Sequence, residues 1–195
     1  MNFNTYLQTV LLRARLMPGP RQLEHAQIGM LTELGELGDL IKREFVKGIE
    51  FDRVNLLEEC GDYLWYFVLY VHESGYSMVL LDQLLAKCLE KPASPTVESD
   101  STLLRTLGQA SGMLCSPPDI LNLSVGDQKA LIDATFMIVL AFLLKYDFTM
   151  AQCLAANDAK LELRHGHKFS AETSVNRDTA AERVILEQHG QGSTK

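Results

Sequence analysis

The chain has little to staple it, little to carry it through a membrane and little to hold it on nucleic acid. Four cysteines (Cys60, Cys88, Cys115 and Cys153) are scattered over 195 residues, with no Cys-x-x-Cys pair. That pattern argues against a disulfide framework or a zinc site and suits reduced thiols, so a cytoplasmic location is expected. Basic residues are in deficit, 18 Lys plus Arg against 25 Asp plus Glu, for a net charge of −7. Sequence-independent nucleic-acid binders present basic surfaces, so no nucleic-acid partner is expected. The most apolar run, 134–144, is about half the length a membrane span needs. The opening MNFNTYLQTVLLRARL lacks the charge and apolar order of a signal peptide. No membrane partner is expected either.

Strand signals are also missing, whereas helical spacing recurs from end to end, so the fold class expected is all-α. Tyr6 and Val10, with Leu11 or Leu12, predict a helix over 4–16, which MPGP interrupts. Ile28, Leu31, Leu34, Leu37 and Ile41 form the apolar stripe of a helix from about Gln22 to Glu44. Gly35 and Gly38 would each cost that helix about 1 kcal/mol against Ala. Their expected compensation is the close approach of a partner helix beside Glu36. Asp52 is the predicted N-cap of a helix over 53–74 whose second half, YLWYFVLYV, should be buried on most sides. Gly75 would end it, and Ser77 would cap a shorter helix to about Glu90.

Residues 91–101, KPASPTVESDS, read as a linker. A helix over 102–114 follows, then a break at SPPD. Asp127 is the predicted cap of an apolar helix to Tyr146, and Thr149 that of another to Arg164. NRDTAAERVILE reads as a last helix before a polar tail. Length and composition suit one all-α domain over 1–195, built from a unit at 1–90, a second unit at 102–170 and a C-terminal helix and tail at 171–195. The two units look like tandem copies, because DYLWYFVLYVHESGYSM is echoed about 71–72 residues later by DATFMIVLAFLLKYDFTM. In that alignment Glu33, Glu36 and Glu59 fall on Thr106, Gln109 and Ala130, and only Asp133 stays near the place of Asp62. The second unit would then keep the packing and lose the acids.

Those acids are the chemistry-bearing residues. Glu33 and Glu36 are three apart in TELGELGD, and Glu59 and Asp62 are three apart in LLEECGDYLWY. On helices each pair shares a face, and in an antiparallel hairpin the four carboxylates would meet. Acidic helical faces are usually just solvated, but no Lys at i+4 relieves either pair, and apolar residues and glycines surround both. Such a cluster calls for a cation, and oxygen ligands suit Mg²⁺, with Mn²⁺ as a substitute. A di-iron bundle would need Glu-x-x-His, and no histidine follows any of these clustered glutamates at that spacing.

Glu33-Leu-Gly-Glu36, then Glu59-Cys-Gly-Asp62 running into an aromatic helix, resembles the MazG-like all-α nucleoside triphosphate pyrophosphohydrolases. That superfamily also contains dimeric dUTPases and phosphoribosyl-ATP pyrophosphohydrolases. NDAKLELRHGHKFS with the later NRD is similar to the closing segment of short, phage-type members. The resemblance covers roughly 25–90 and 148–178, with the segment from about 91 to 147 extra. It implies hydrolysis of a nucleoside triphosphate between the α and β phosphates, with Glu33, Glu36, Glu59 and Asp62 as metal ligands. Glu58 would accept the proton of the attacking water, or else simply favour the dipole at the start of its helix. Tyr66 would border the base, although an aromatic there is as readily core, as Trp65 should be. Asn157 and Lys160 would reach the substrate or lie at the surface, and Arg164 and Lys168 would face phosphates. His165 and His167 are too few for a transition-metal site. A homodimer or larger assembly is expected.

Overall fold

The computed structural model describes residues 1–14, 22–90, 100–115, 124–166, 172 and 175–190. Among these there is no strand. The first four helices are α1 (Phe3–Ala14), α2 (Gln22–Lys47), α3 (Arg53–Glu73) and α4 (Met78–Glu90). After them come α5 (Asp100–Cys115), α6 (Val125–Lys145), α7 (Met150–His165) and α8 (Thr179–Gly190). No helix among the described residues is long and apolar enough to cross a membrane. Most of the linker reading, 91–99, lies outside the described residues.

The centre of the molecule is α3. From Tyr63 to Val71 every residue but Tyr66 is buried, so no side of this half-helix faces water. It packs against α1, α2, α6, α7 and α8, and each fully buried large apolar side chain contributes about 1.5–3 kcal/mol. Phe67 and Phe136 stack at 5.7 Å between centroids and join α3 to α6, while Phe3 meets Phe136 edge-on. The start of α3 is fixed by Asp52, whose Oδ1 accepts from the amides of Val54 and Asn55. The same carboxylate receives Arg183 of α8 through two nitrogens, at 2.8 and 3.0 Å. One side chain thus caps a helix and anchors the last element to it.

Several sequence expectations need correction. Ile28 is 62% exposed; the buried stripe of α2 runs through Ala26, Met30, Leu34, Leu37 and Ile41 instead. Ser124, not Asp127, caps α6: its hydroxyl accepts the Asp127 amide and donates to that carboxylate, which sits inside the first turn. A methyl placed on Gly35 would have nothing within 4 Å, and one on Gly38 would meet only a Leu107 methyl at an ordinary 3.5 Å. At neither glycine does a partner helix come close. Thr149 does cap α7, in a box with Gln152.

The ends of α3 and α6 repeat at one offset. α3 and α6 are both 21 residues long. Each is closed by a residue of positive φ, Gly75 at 76° and Asp147 at 58°. The bonds that close α3, Gly75 N–H to His72 O and Tyr76 N–H to Val71 O, recur at α6 as Asp147 to Leu144 and Phe148 to Leu143. Tyr63 donates its hydroxyl to the carbonyl of Thr135, 72 residues on, so the helices touch at matching positions. In that register Leu131 and Ala134, not Ala130 and Asp133, take the places of Glu59 and Asp62. Asp133 turns aside to pair with Lys129 one turn back.

Candidate functional site

The turn 48–52 folds α2 back against α3, and this hairpin brings Glu33 beside Glu59 and Asp62. One carboxylate oxygen of each of the three lies within 4.8 Å of the other two. All three side chains are half-buried. Burial, then the nearby charge of Asp62, raises the Glu33 carboxyl to about 7. Burial, then Asp62 and Glu33, raises Glu59 to about 8. Two carboxyls that resist ionisation beside a third acid are under electrostatic load, which a divalent cation with oxygen ligands would relieve. Glu36 is exposed and stands on the rim of the same cavity, outside the tight group.

The cavity has a volume of about 630 Å³. Beyond the acids, its wall includes Asn55, Trp65, Tyr66, Arg164 and Arg177. Volumes of about 300–1,000 Å³ are usual for small-molecule sites.

Behind the acids stands a buried polar layer supplied by α7 and α1. Lys160 is wholly buried, and its Nζ lies 2.5 Å from Asp62 Oδ2 and 3.3 Å from Glu58 Oε1. Asn157, also buried, donates to Asp62 Oδ1 at 2.6 Å and accepts from the Tyr6 hydroxyl at 2.5 Å. Both oxygens of Asp62 are therefore held from α7. Asn157 and Lys160 thus face an acid and not the open cavity. The spacing of three between them puts them on one helix face, which is how one element reaches both oxygens.

Glu58 faces the cavity with Oε1 between Lys160 and Arg177, whose nearest nitrogen is 3.4 Å away. Arg164 is clamped by Glu182 of α8 through two bonds, at 2.7 and 2.6 Å, and Arg177 joins the same carboxylate at 3.0 Å. The fold thus holds two guanidinium groups on the wall of the cavity that the acids line. Lys168 and His167 lie outside the described residues.

Tyr66 is the one residue of the buried half of α3 that looks outward, and it does so into the cavity. Gly29 lies under its ring: a methyl there would fall 2.2 Å from Cδ1 and 2.4 Å from Cγ. Gly61, between Cys60 and Asp62, lets Asn157 in; a methyl there would be 2.8 Å from the Asn157 Cβ. Among the described residues these are the two close approaches that glycine makes possible, whereas the sequence suggested Gly35 and Gly38 for that role. Sequence reasoning also missed Arg13, buried on the cavity wall and tied to Asp158 at 2.7 Å and Glu162 at 3.1 Å. A signal was present: Tyr6, Val10 and Arg13 share one helical face.

No protein-family model matches the chain, and no curated protein or solved structure matches it.

Proposed function

We propose that this chain is a Mg²⁺-dependent nucleoside triphosphate pyrophosphohydrolase, releasing a nucleoside monophosphate and pyrophosphate. The observation that carries the reading is the convergence of Glu33, Glu59 and Asp62 on a cavity that also presents Arg164 and Arg177. The donor set fits the metal: the three acids offer only hard oxygens, and burial keeps two of them from ionising easily. Glu33, Glu59 and Asp62 would hold Mg²⁺ or Mn²⁺, with Glu36 joining from the rim. When bound, the ion would neutralise the triphosphate and make a water more acidic.

The remaining work falls to the chain. Lys160 and Asn157 keep Asp62 in one orientation, as the outer partners of metal ligands do. Arg164 and Arg177, fixed by Glu182, would meet phosphate oxygens and stabilise the leaving pyrophosphate. In the reaction a water oxygen bonds to the α phosphorus while the bond from that phosphorus to the α–β bridging oxygen breaks. The electron pair would leave with pyrophosphate, and Glu58 would take the water's proton. Tyr66 would flank the nucleoside.

The α5–α6 segment reads as a degenerate copy of α2–α3, with the repeated helix ends as its support. Association into a homodimer or larger assembly is part of the same proposal. A catalytically idle nucleotide- or protein-binding module is the second reading, favoured by Lys160, which already neutralises part of the acid cluster. Pyrophosphate release from a panel of NTPs and dNTPs, with and without Mg²⁺, separates the two. Metal-dependent release from at least one triphosphate supports the hydrolase; silence from all of them, and from phosphoribosyl-ATP, leaves the idle module.

A further inference from the structure

The buried polar layer behind the acids extends one residue beyond the side chains that bond to them. By spacing alone Tyr6 belongs to the apolar face of α1, and it is wholly buried. Its hydroxyl, however, donates to Asn157 Oδ1 at 2.5 Å, and Asn157 Nδ2 in turn donates to Asp62 Oδ1 at 2.6 Å. Three helices thus meet in one run of hydrogen bonds, from α1 through α7 to α3. The direction of that run is forced. A carboxylate only accepts, so Asn157 turns its NH₂ to Asp62 and its carbonyl to Tyr6, which then has to donate. Burial pushes the Tyr6 phenol well above its ordinary value, so the donor stays in place.

Asn157 has little freedom of its own. Its Cβ packs so close to Gly61 that a methyl there would fall 2.8 Å away. The next residue, Asp158, is bound at 2.7 Å by Arg13, also of α1. Without the phenol hydroxyl, Asn157 Oδ1 would be a buried acceptor with no partner, and the amide would turn from Asp62 to find one. Asp62 Oδ1 would then lose the donor that fixes it, because Lys160 reaches Oδ2. Resting on the metal site proposed above, we infer that Tyr6 is a positioning residue of that site, which orients Asp62 through Asn157.

A ligand carboxylate held at both oxygens keeps one orientation before the ion arrives, so less has to be ordered on binding. Removing such a partner costs about 10–100-fold in metal affinity, which is the loss expected of Asn157→Ala. Tyr6 stands one hydrogen bond further out. Tyr6→Phe keeps the ring in the core and removes only the hydroxyl, and it should weaken Mg²⁺ binding about three- to tenfold. The two losses should not add, since Tyr6 acts through Asn157. In a chain that already carries Asn157→Ala, Tyr6→Phe should change the affinity no further.

Calorimetric titration of Mg²⁺ at pH 7 into the full chain, the two single variants and the double variant tests this, with Tyr63→Phe as control. Tyr63 is also fully buried and donates its hydroxyl to the Thr135 carbonyl at 3.1 Å, so that variant loses the same kind of bond on the side of α6. Wild-type affinity is expected in Tyr63→Phe, even if both phenylalanine variants melt earlier. Unchanged affinity in Tyr6→Phe, an equal loss in Tyr63→Phe, or the full Tyr6→Phe loss recurring beside Asn157→Ala overturns the inference while the metal site stands. A wild-type chain that takes up no divalent cation removes the metal site and the inference together. The wild-type chain also supplies a reading that does not depend on how Tyr6→Phe folds. Its buried Tyr6 hydroxyl proton, followed by NMR, should shift as Mg²⁺ is added, and a resonance that ignores the ion overturns the inference as well.

Discussion

Lys160 Nζ lies 2.5 Å from Asp62 Oδ2, and none of the lysine is exposed. A buried cation of this kind is tolerated only because carboxylates receive it, and the carboxylates crowd only because it answers them. The pair ties α7 to α3 and fixes one of the three clustered acids.

Lys160→Met should therefore destabilise the metal-free protein by about 2–4 kcal/mol, since breaking a buried pair leaves charge uncompensated. Urea denaturation at pH 7 measures this. Divalent cation should recover part of the loss, because it supplies the positive charge that the variant lacks.

The pH dependence has a defined sign. The Glu33 and Glu59 carboxyls are raised to about 7 and about 8, by burial first and then by Asp62. The folded state thus binds protons that the unfolded state has released above its ordinary value of 4.5. Stability from these groups is fully present below pH 4.5 and is lost as pH rises through about 8. Thermal scans without metal should show a falling Tm over that window. Mg²⁺ should raise Tm strongly at pH 8 and little at pH 5.

The glycines separate by what surrounds them. Gly61→Ala puts a methyl 2.8 Å from the Asn157 Cβ, and Asn157 cannot retreat without leaving Asp62. A loss of about 1–3 kcal/mol and weaker metal binding are expected. Gly35→Ala meets nothing and should raise stability by up to about 1 kcal/mol. Chemical denaturation of the two variants side by side tests the assignment.

Much of the hairpin was legible in the sequence because acid spacing and apolar spacing are both local. Asp52 and Thr149 announce their helices for the same reason. What the sequence did not disclose depends on which residues meet across the fold. Ile28 fits the stripe by count, yet the side of α2 that meets α3 is rotated toward Ala26 and Met30. Asn157 and Lys160 stand out in sequence as polar residues one turn apart. Only the packing of α7 on α3 turns them toward Asp62. Arg177 lies in a segment singled out in the sequence, but its place beside Glu58 needs α8 to fold over α3.

The central claim is that Glu33, Glu59 and Asp62 form a divalent-cation site. Calorimetric titration of Mg²⁺ and Mn²⁺ into the protein at pH 7, in two buffers of different ionisation enthalpy, tests it most directly. The account predicts saturable binding with protons released from Glu33 and Glu59, and its loss in a folded Glu59→Gln variant. Absence of binding, or the same binding and proton release in Glu59→Gln, would contradict it.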